Sequence, residues 1–155
     1  MSENLADLYR DILMEHYRYP RGHNLVRHPD YINQGHNPVC GDEIEIKVKM
    51  DGDKVKHVYV NCVGCAISVA SGSMLAEIIE GKTIPEVKHI AAIIKAMLKG
   101  EEYDPGDLDL GDLEALRGVK KFPVRIKCAL LSWTTLIDAL EAGEIGHPAM
   151  PSSIE

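Results

Sequence analysis

Between Asp42 and Cys62, apolar and polar residues alternate on either side of Asp51-Gly52, and this stretch restricts the possible folds most tightly. Ile44, Ile46, Val48 and Met50 fall on one side of an extended chain, with Glu45, Lys47 and Lys49 on the other. After the turn, Val58, Val60 and Cys62 share one face, and His57, Tyr59 and Asn61 share the opposite one. Successive side chains of a strand point to opposite faces, so the pattern predicts a half-buried antiparallel hairpin with Asp51-Gly52 as its turn.

The rest of the chain supplies helices to cover that sheet. Leu5, Leu8, Ile12 and Leu13 share a helical face between Leu5 and Tyr17, and Pro20 with Gly22 ends the segment. A second helix is predicted from Ala66 to Ile79, with Ile67, Ala70, Met74, Leu75 and Ile78 inward and Gly81 after its end. Thr83 and Glu86 stand at capping-box spacing, and Pro85 suits a first helical turn. The helix they open runs to Leu98, with Val87, Ile90, Ala91, Ile94 and Met97 inward. Residues 104–107 read as a loop, Leu110 to Leu116 as a short helix, and Pro123 to Ala142 as the last long one. Arg21 to Asn37 shows little periodicity and reads as a connection, with a short extended piece at Tyr31 and Ile32. The expectation is an α+β fold, a small antiparallel sheet with helices packed on one face, in a single domain over 1–143. The tail 144–155, with Pro148, Pro151 and two serines, is expected to be disordered. No surplus apolar stripe is visible, so a monomer is expected.

Charge narrows the function. A formal net charge of -7 argues against nucleic acid, whose phosphates call for a basic surface. No apolar run approaches the roughly 20 residues that span a bilayer, and Met1-Ser2-Glu3-Asn4 lacks the basic and apolar parts of a signal peptide. The expected place is the cytoplasm, where thiols stay reduced, so the four cysteines are not expected to form disulfides.

Three of those cysteines stand at element ends. Cys40-Gly41-Asp42 opens the first hairpin strand, where alternation turns Cys40 and Asp42 toward one point. Cys65 lies at a strand–helix junction, where unpaired N–H groups favour a thiolate. Cys128 lies in the first turns of the last helix, beside Lys127 and after Arg125, whose charges favour its thiolate too. Three thiolates and one carboxylate suit a tetrahedral metal site, with Arg125 and Lys127 placed to offset its charge from outside the ligand set. The residues alone leave a second reading open, in which each cysteine is a small buried apolar group. Cys62 completes a CxxC with Cys65 but shares the face of Val58 and Val60, which favours a buried thiol. All seven histidines read as surface residues, and Ser68, Ser71 and Ser73 as small residues that let a helix pack closely.

Several separated segments resemble one family. Leu8-Tyr9-Arg10, His16-Tyr17 and Pro20-Arg21 are similar to the opening of IscU-type iron–sulfur assembly proteins. So are Asn37 to Asp42, Gly64-Cys65-Ala66-Ile67-Ser68 and Lys127-Cys128-Ala129-Leu130-Leu131. The stretch Gly100 to Phe122 resembles the insertion of the SufU branch, and Lys127 stands where IscU scaffolds carry histidine. Cys62-Val63 departs from the family pattern, as does the tail after Gly143. The resemblance implies that Cys40, Asp42, Cys65 and Cys128 bind zinc. It further implies that Cys40 accepts persulfide sulfur from a cysteine desulfurase of the SufS type, so the chain acts beside an enzyme rather than as a stand-alone one. It leaves two alternatives. One is a scaffold that assembles a [2Fe–2S] cluster, or binds iron, on the same residues and meets other cluster-assembly proteins. The other is a non-catalytic zinc-stabilised adaptor.

Overall fold

The computed structural model describes residues 2–144 and 152–153, with side chains from 5 to 143. Helix α1 (Ser2–Arg18) leads to strands β1 (Tyr31–Asn37), β2 (Asp42–Asp51) and β3 (Lys54–Val63). Helices α2 (Ala66–Ile79) and α3 (Ile84–Lys99), a 3-10 helix (Gly111–Lys121), helix α4 (Pro123–Glu144) and the two-residue strand β4 (Ser152–Ser153) follow. The sheet order is β3-β2-β1-β4, with the first three strands antiparallel and β4 parallel to β1.

The hairpin forms as its alternation demands. Ile44 faces Cys62, Ile46 faces Val60 and Val48 faces Val58, and all but the half-buried Cys62 are buried. The register slips once, at Lys49/Met50. Helices α2 and α4 lie on the apolar face, while α1, α3 and the 3-10 helix build outward from those two. The outer face of β2 keeps Glu43, Glu45, Lys47 and Lys49 in partial or full contact with solvent. No helix of the described residues is long and apolar enough to cross a membrane.

The segment expected to be a mostly irregular connection contains a full seven-residue strand. Its inward positions are Asn33, Gly35 and Asn37, none of which carries an apolar signal. Their burial is satisfied by hydrogen bonds instead, as when Asn33 Nδ2 donates to the Thr135 carbonyl at 3.1 Å. Other details also differ. The 3-10 helix extends five residues beyond the expected end at Leu116, to Lys121. In α2 the buried stripe is Ser68, Ala70, Ser71, Gly72, Ser73, Met74, Leu75, Ala76 and Ile79, so Ile67 and Ile78 sit at its margins. Leu5 and Leu8 of α1 are about half exposed, at 49% and 53%, rather than covered. An apolar strip therefore stays open where none was expected. Of the tail expected to be disordered, 145–151 and 154–155 lie outside the described residues, and Ser152–Ser153 pair with Gly35 and His36.

His16, read from sequence as a surface histidine, is fully buried. Its Nδ1 lies 2.7 Å from Ser73 Oγ and its Nε2 lies 2.8 Å from Asp112 Oδ2. The Arg21 backbone N–H already donates to Ser73 Oγ. The serine proton is thus available to Nδ1, which leaves Nε2–H to donate to Asp112. This one ring fastens α1 to α2 and to the 3-10 helix.

Helix α3 opens with the expected capping box. Thr83 Oγ1 accepts from the Glu86 N–H, and the Glu86 carboxylate accepts from the Thr83 N–H at 3.0 Å. The Glu86 carboxyl is held below its ordinary value, first by the Thr83 backbone N–H and then by the Thr83 hydroxyl. A carboxyl lowered on folding stabilises above its unfolded value, and that contribution is lost as pH falls through the folded value. Thr83→Ala is expected to lower stability by about 1 kcal/mol near neutral pH, and the gap from the natural protein should narrow in acid as Glu86 protonates. Urea unfolding at both pH values measures this.

Candidate metal centre

Three chain segments meet at one end of the sheet. Asn37 pairs with Asp42 across β1 and β2, so residues 38–41 form the tight loop between those strands. The Gly41 N–H closes it on the Asn37 carbonyl at 2.8 Å, with Gly41 at φ 75°, a value glycine adopts without strain. Cys40 therefore sits at a loop tip and not in a strand as expected. The turn, rather than alternation, brings it beside Asp42. Cys65 is the N-cap of α2, and Cys128 lies in the first turns of α4.

The side chains converge. The Cys128 and Cys40 sulfurs are 3.3 Å apart. Donor atoms of Cys40, Asp42 and Cys128 all lie within 4.8 Å of one another. Cys65 stands at the edge of this tight group, its Sγ 3.8 Å from Asp42 Oδ2 and also in contact with Cys128. Asp42 and Cys128 are fully buried, while Cys40 and Cys65 are partly exposed. A carboxylate this buried requires partners. The Cys65 backbone N–H donates to Asp42 Oδ1 at 2.8 Å, and the Ser68 hydroxyl donates to Oδ2 at 2.6 Å.

Gly64 makes this approach possible. A Cβ there would collide with the Asp42 carboxylate and its Cα, and the residue holds φ +156°. Asn37, also fully buried, turns its Nδ2 to within 3.7 Å of Cys128 Sγ while its Oδ1 accepts from the Val39 N–H. Sequence reasoning assigned neither Ser68 nor Asn37 to the site. For Ser68 a signal was present, because i and i+3 spacing places it on the same helical face as Cys65.

The electrostatics differ from expectation at Cys128. Its thiol is pushed well above the ordinary range, first by burial and then by the hydrogen bonds and charge of neighbouring Cys40, Cys65 and Asp42. The nearby cations do not offset this. Arg125 does reach the site. Its pKa is raised by a hydrogen bond to Cys128, then by the charges of Cys65, Cys128 and Cys40. Lys127, half-buried on the next position before Cys128, enters none of these contacts. Cys62 faces inward opposite Ile44, and its thiol is pushed up to about 12 by burial and then by the charges of Asp42 and Cys65. It is a protonated thiol at neutral pH and a poor thiolate donor. Val39, Val63 and Val124, which precede Cys40, Cys65 and Cys128 by one, two and four residues, are each well exposed.

Three sulfurs, one buried carboxylate and a single adjacent guanidinium are a donor set suited to a thiophilic divalent cation such as zinc. The protein is a small α+β domain with a candidate metal site, and comparison places it more closely. Residues 8–129 match the NifU-like N terminal domain, and the chain belongs to that family. It is 43% identical over 144 residues to the zinc-dependent sulfurtransferase SufU of Bacillus subtilis, covering 93% of this chain and 97% of that one. It is 38% identical over 137 residues to the iron–sulfur cluster assembly scaffold protein IscU of Streptococcus pyogenes, covering 88% and 85%. Among solved structures, a SufU from Fervidobacterium islandicum, described as a candidate scaffold protein for the SUF system, superposes with a TM-score of 0.77 at 35% identity, over 83% of this chain and 93% of that one.

Two outcomes follow from the geometry. In chelator-treated protein, Cys40 and Cys65 should be alkylated well before Cys62 and Cys128, as read by mass spectrometry of tryptic peptides. Gly64→Ala should cost about 3 kcal/mol or more in urea unfolding, because the added methyl meets the backbone Cα of Asp42 as well as its carboxylate and the position holds φ +156°.

Proposed function

We propose that the protein works in iron–sulfur cluster assembly in the cytoplasm, as a zinc-dependent acceptor of sulfur from a cysteine desulfurase of the SufS type. The convergence of Cys40, Asp42, Cys65 and Cys128 carries this reading, and the zinc-dependent name of the Bacillus subtilis relative supports it. Zinc bound to these four residues would keep their thiols deprotonated at neutral pH, against the burial that otherwise protonates Cys128.

The four ligands are not held alike. Asp42 is gripped by the Cys65 N–H and the Ser68 hydroxyl. Cys128 receives the Asn37 amide and Arg125. Cys40 sits on a loop tip, and its recorded polar contact is with the Cys128 sulfur. Cys65 is fixed as the N-cap of α2, so Cys40, carried by the loop between β1 and β2, is the sulfur best placed to leave and react. Cys40 thiolate attacks the outer sulfur of the partner's persulfide. The partner's S–S bond breaks, its inner sulfur leaves as thiolate, and Cys40 carries the new persulfide with no net oxidation. The exposed valines 39, 63 and 124 offer an apolar collar on which a partner surface can settle and exclude water.

The scaffold reading is supported by the names of the Streptococcus pyogenes relative and of the Fervidobacterium islandicum structure. Purification without oxygen separates the two. One zinc per chain, little iron and faster turnover of added desulfurase are expected, with Cys40→Ala retaining the fold and losing the stimulation. Asp42→Ala is expected to lose zinc. A coloured iron–sulfur species would move the assignment to the scaffold, and zinc without any effect on the desulfurase would move it to an adaptor.

A further inference from the structure

A second surface lies beside the cysteines and takes no part in holding a metal. Helix α1, the start of α2, the 3-10 helix and the start of α4 enclose an open trough of about 760 Å³. Leu5, Tyr9, Leu13, Ile67 and Phe122 form much of its apolar lining. Leu5 and Phe122 are 49% and 60% exposed, which is costly for two large apolar groups lining one trough unless something covers them.

The rim has a definite sign. Arg10, Arg117, Lys121 and Arg125 border the trough, against Asp7 and Glu114. The two acids pair with Arg10 and Arg117, which leaves Lys121 and Arg125 to give the rim its net positive charge. Lys121 has no acidic partner among the described residues. Residues 117–127 carry Arg117, Lys120, Lys121, Arg125 and Lys127 with no acid, in a chain whose net charge is -7. Local positive charge against the overall sign selects an acidic occupant. The trough is too open to enclose a small molecule, which usually buries most of its surface in its site. An apolar floor with a charged rim is instead the pattern that takes an amphipathic helix.

We infer that this trough docks an acidic amphipathic helix of a partner protein, with leucine- or phenylalanine-like side chains on the floor and carboxylates along the Arg10–Lys121 rim. The docked helix would end at Arg125, next to the cysteines. The inference does not depend on which metal the site holds or on sulfur transfer.

The test uses the full chain with its metal and a fluorescein-labelled helical peptide bearing glutamates on one face and leucine and phenylalanine on the other. Saturable binding is expected in fluorescence anisotropy, weakening as salt rises. Lys121→Glu and Phe122→Ser should each weaken it about ten-fold or more. Both side chains are exposed, and unchanged thermal unfolding confirms that the variants fold. Cys40→Ala should bind the peptide like the natural chain, so loss of sulfur transfer and loss of docking are told apart. Equal binding of a peptide with lysines in place of the glutamates would overturn the proposal, as would no effect of either variant. So would a concentration-dependent dimer in sedimentation that Phe122→Ser dissolves, since a second copy would then be the occupant. Preferential capture of single-stranded RNA by residues 117–127 would overturn it as well.

Discussion

The buried carboxylate of Asp42 is the joint on which the rest of this molecule turns. It has no exposure to solvent, so its two oxygens must find donors inside the protein. They find them on the first turn of α2, in the Cys65 N–H and the Ser68 hydroxyl. One side chain thereby fixes the start of β2 against the start of α2. The loop carrying Cys40 and the turn carrying Cys65 then share a frame. Gly64 is the local price of that approach, since any side chain there would occupy the carboxylate's place.

The same frame explains why chemically similar sulfurs are not equivalent. Burial falls fully on Cys128, and the half-buried Cys62 feels it too, so both thiols are driven toward the protonated form. Exposure falls on Cys40 and Cys65, at a loop tip and a helix start. A site whose members differ in this way can keep some ligands anchored while another exchanges. Uniformly buried cysteines would favour a closed structural site instead.

The hairpin and the long helices were legible because each rests on a periodic apolar signal. A one-residue slip of Ile44, Ile46 and Val48 against Val58 and Val60 would turn them to the solvent face. Thr83 and Glu86 marked a helix start through local chemistry alone. Strand β1 was not legible, because Asn33, Gly35 and Asn37 are buried by hydrogen bonding and shape rather than by hydrophobicity. His16 escaped for a related reason: its partners, Ser73 and Asp112, lie 57 and 96 residues away, beyond the reach of any local pattern. Of the site, each cysteine's position at an element end could be reasoned from spacing. Their grouping with Asp42 could not, since it depends on long-range pairing, and the resemblance to iron–sulfur assembly proteins was what singled them out. Lys127, placed beside the site by sequence proximity, turns out to share only the helix and not the contacts.

The polar inner face of β1 has a consequence for how the molecule breathes. Strands β2 and β3 bring aliphatic side chains to the core, while the inward positions of β1 are Asn33, Gly35 and Asn37, and β1 is paired along its length with β2 but at only two positions with β4. Local opening draws on the segments with fewest apolar contacts, so the amide protons of β1 should exchange with solvent sooner than those of β2. Asn37 closes that strand and touches the Cys128 sulfur. The end of the strand with the most polar inner face is thus tied by one amide to one sulfur of the site.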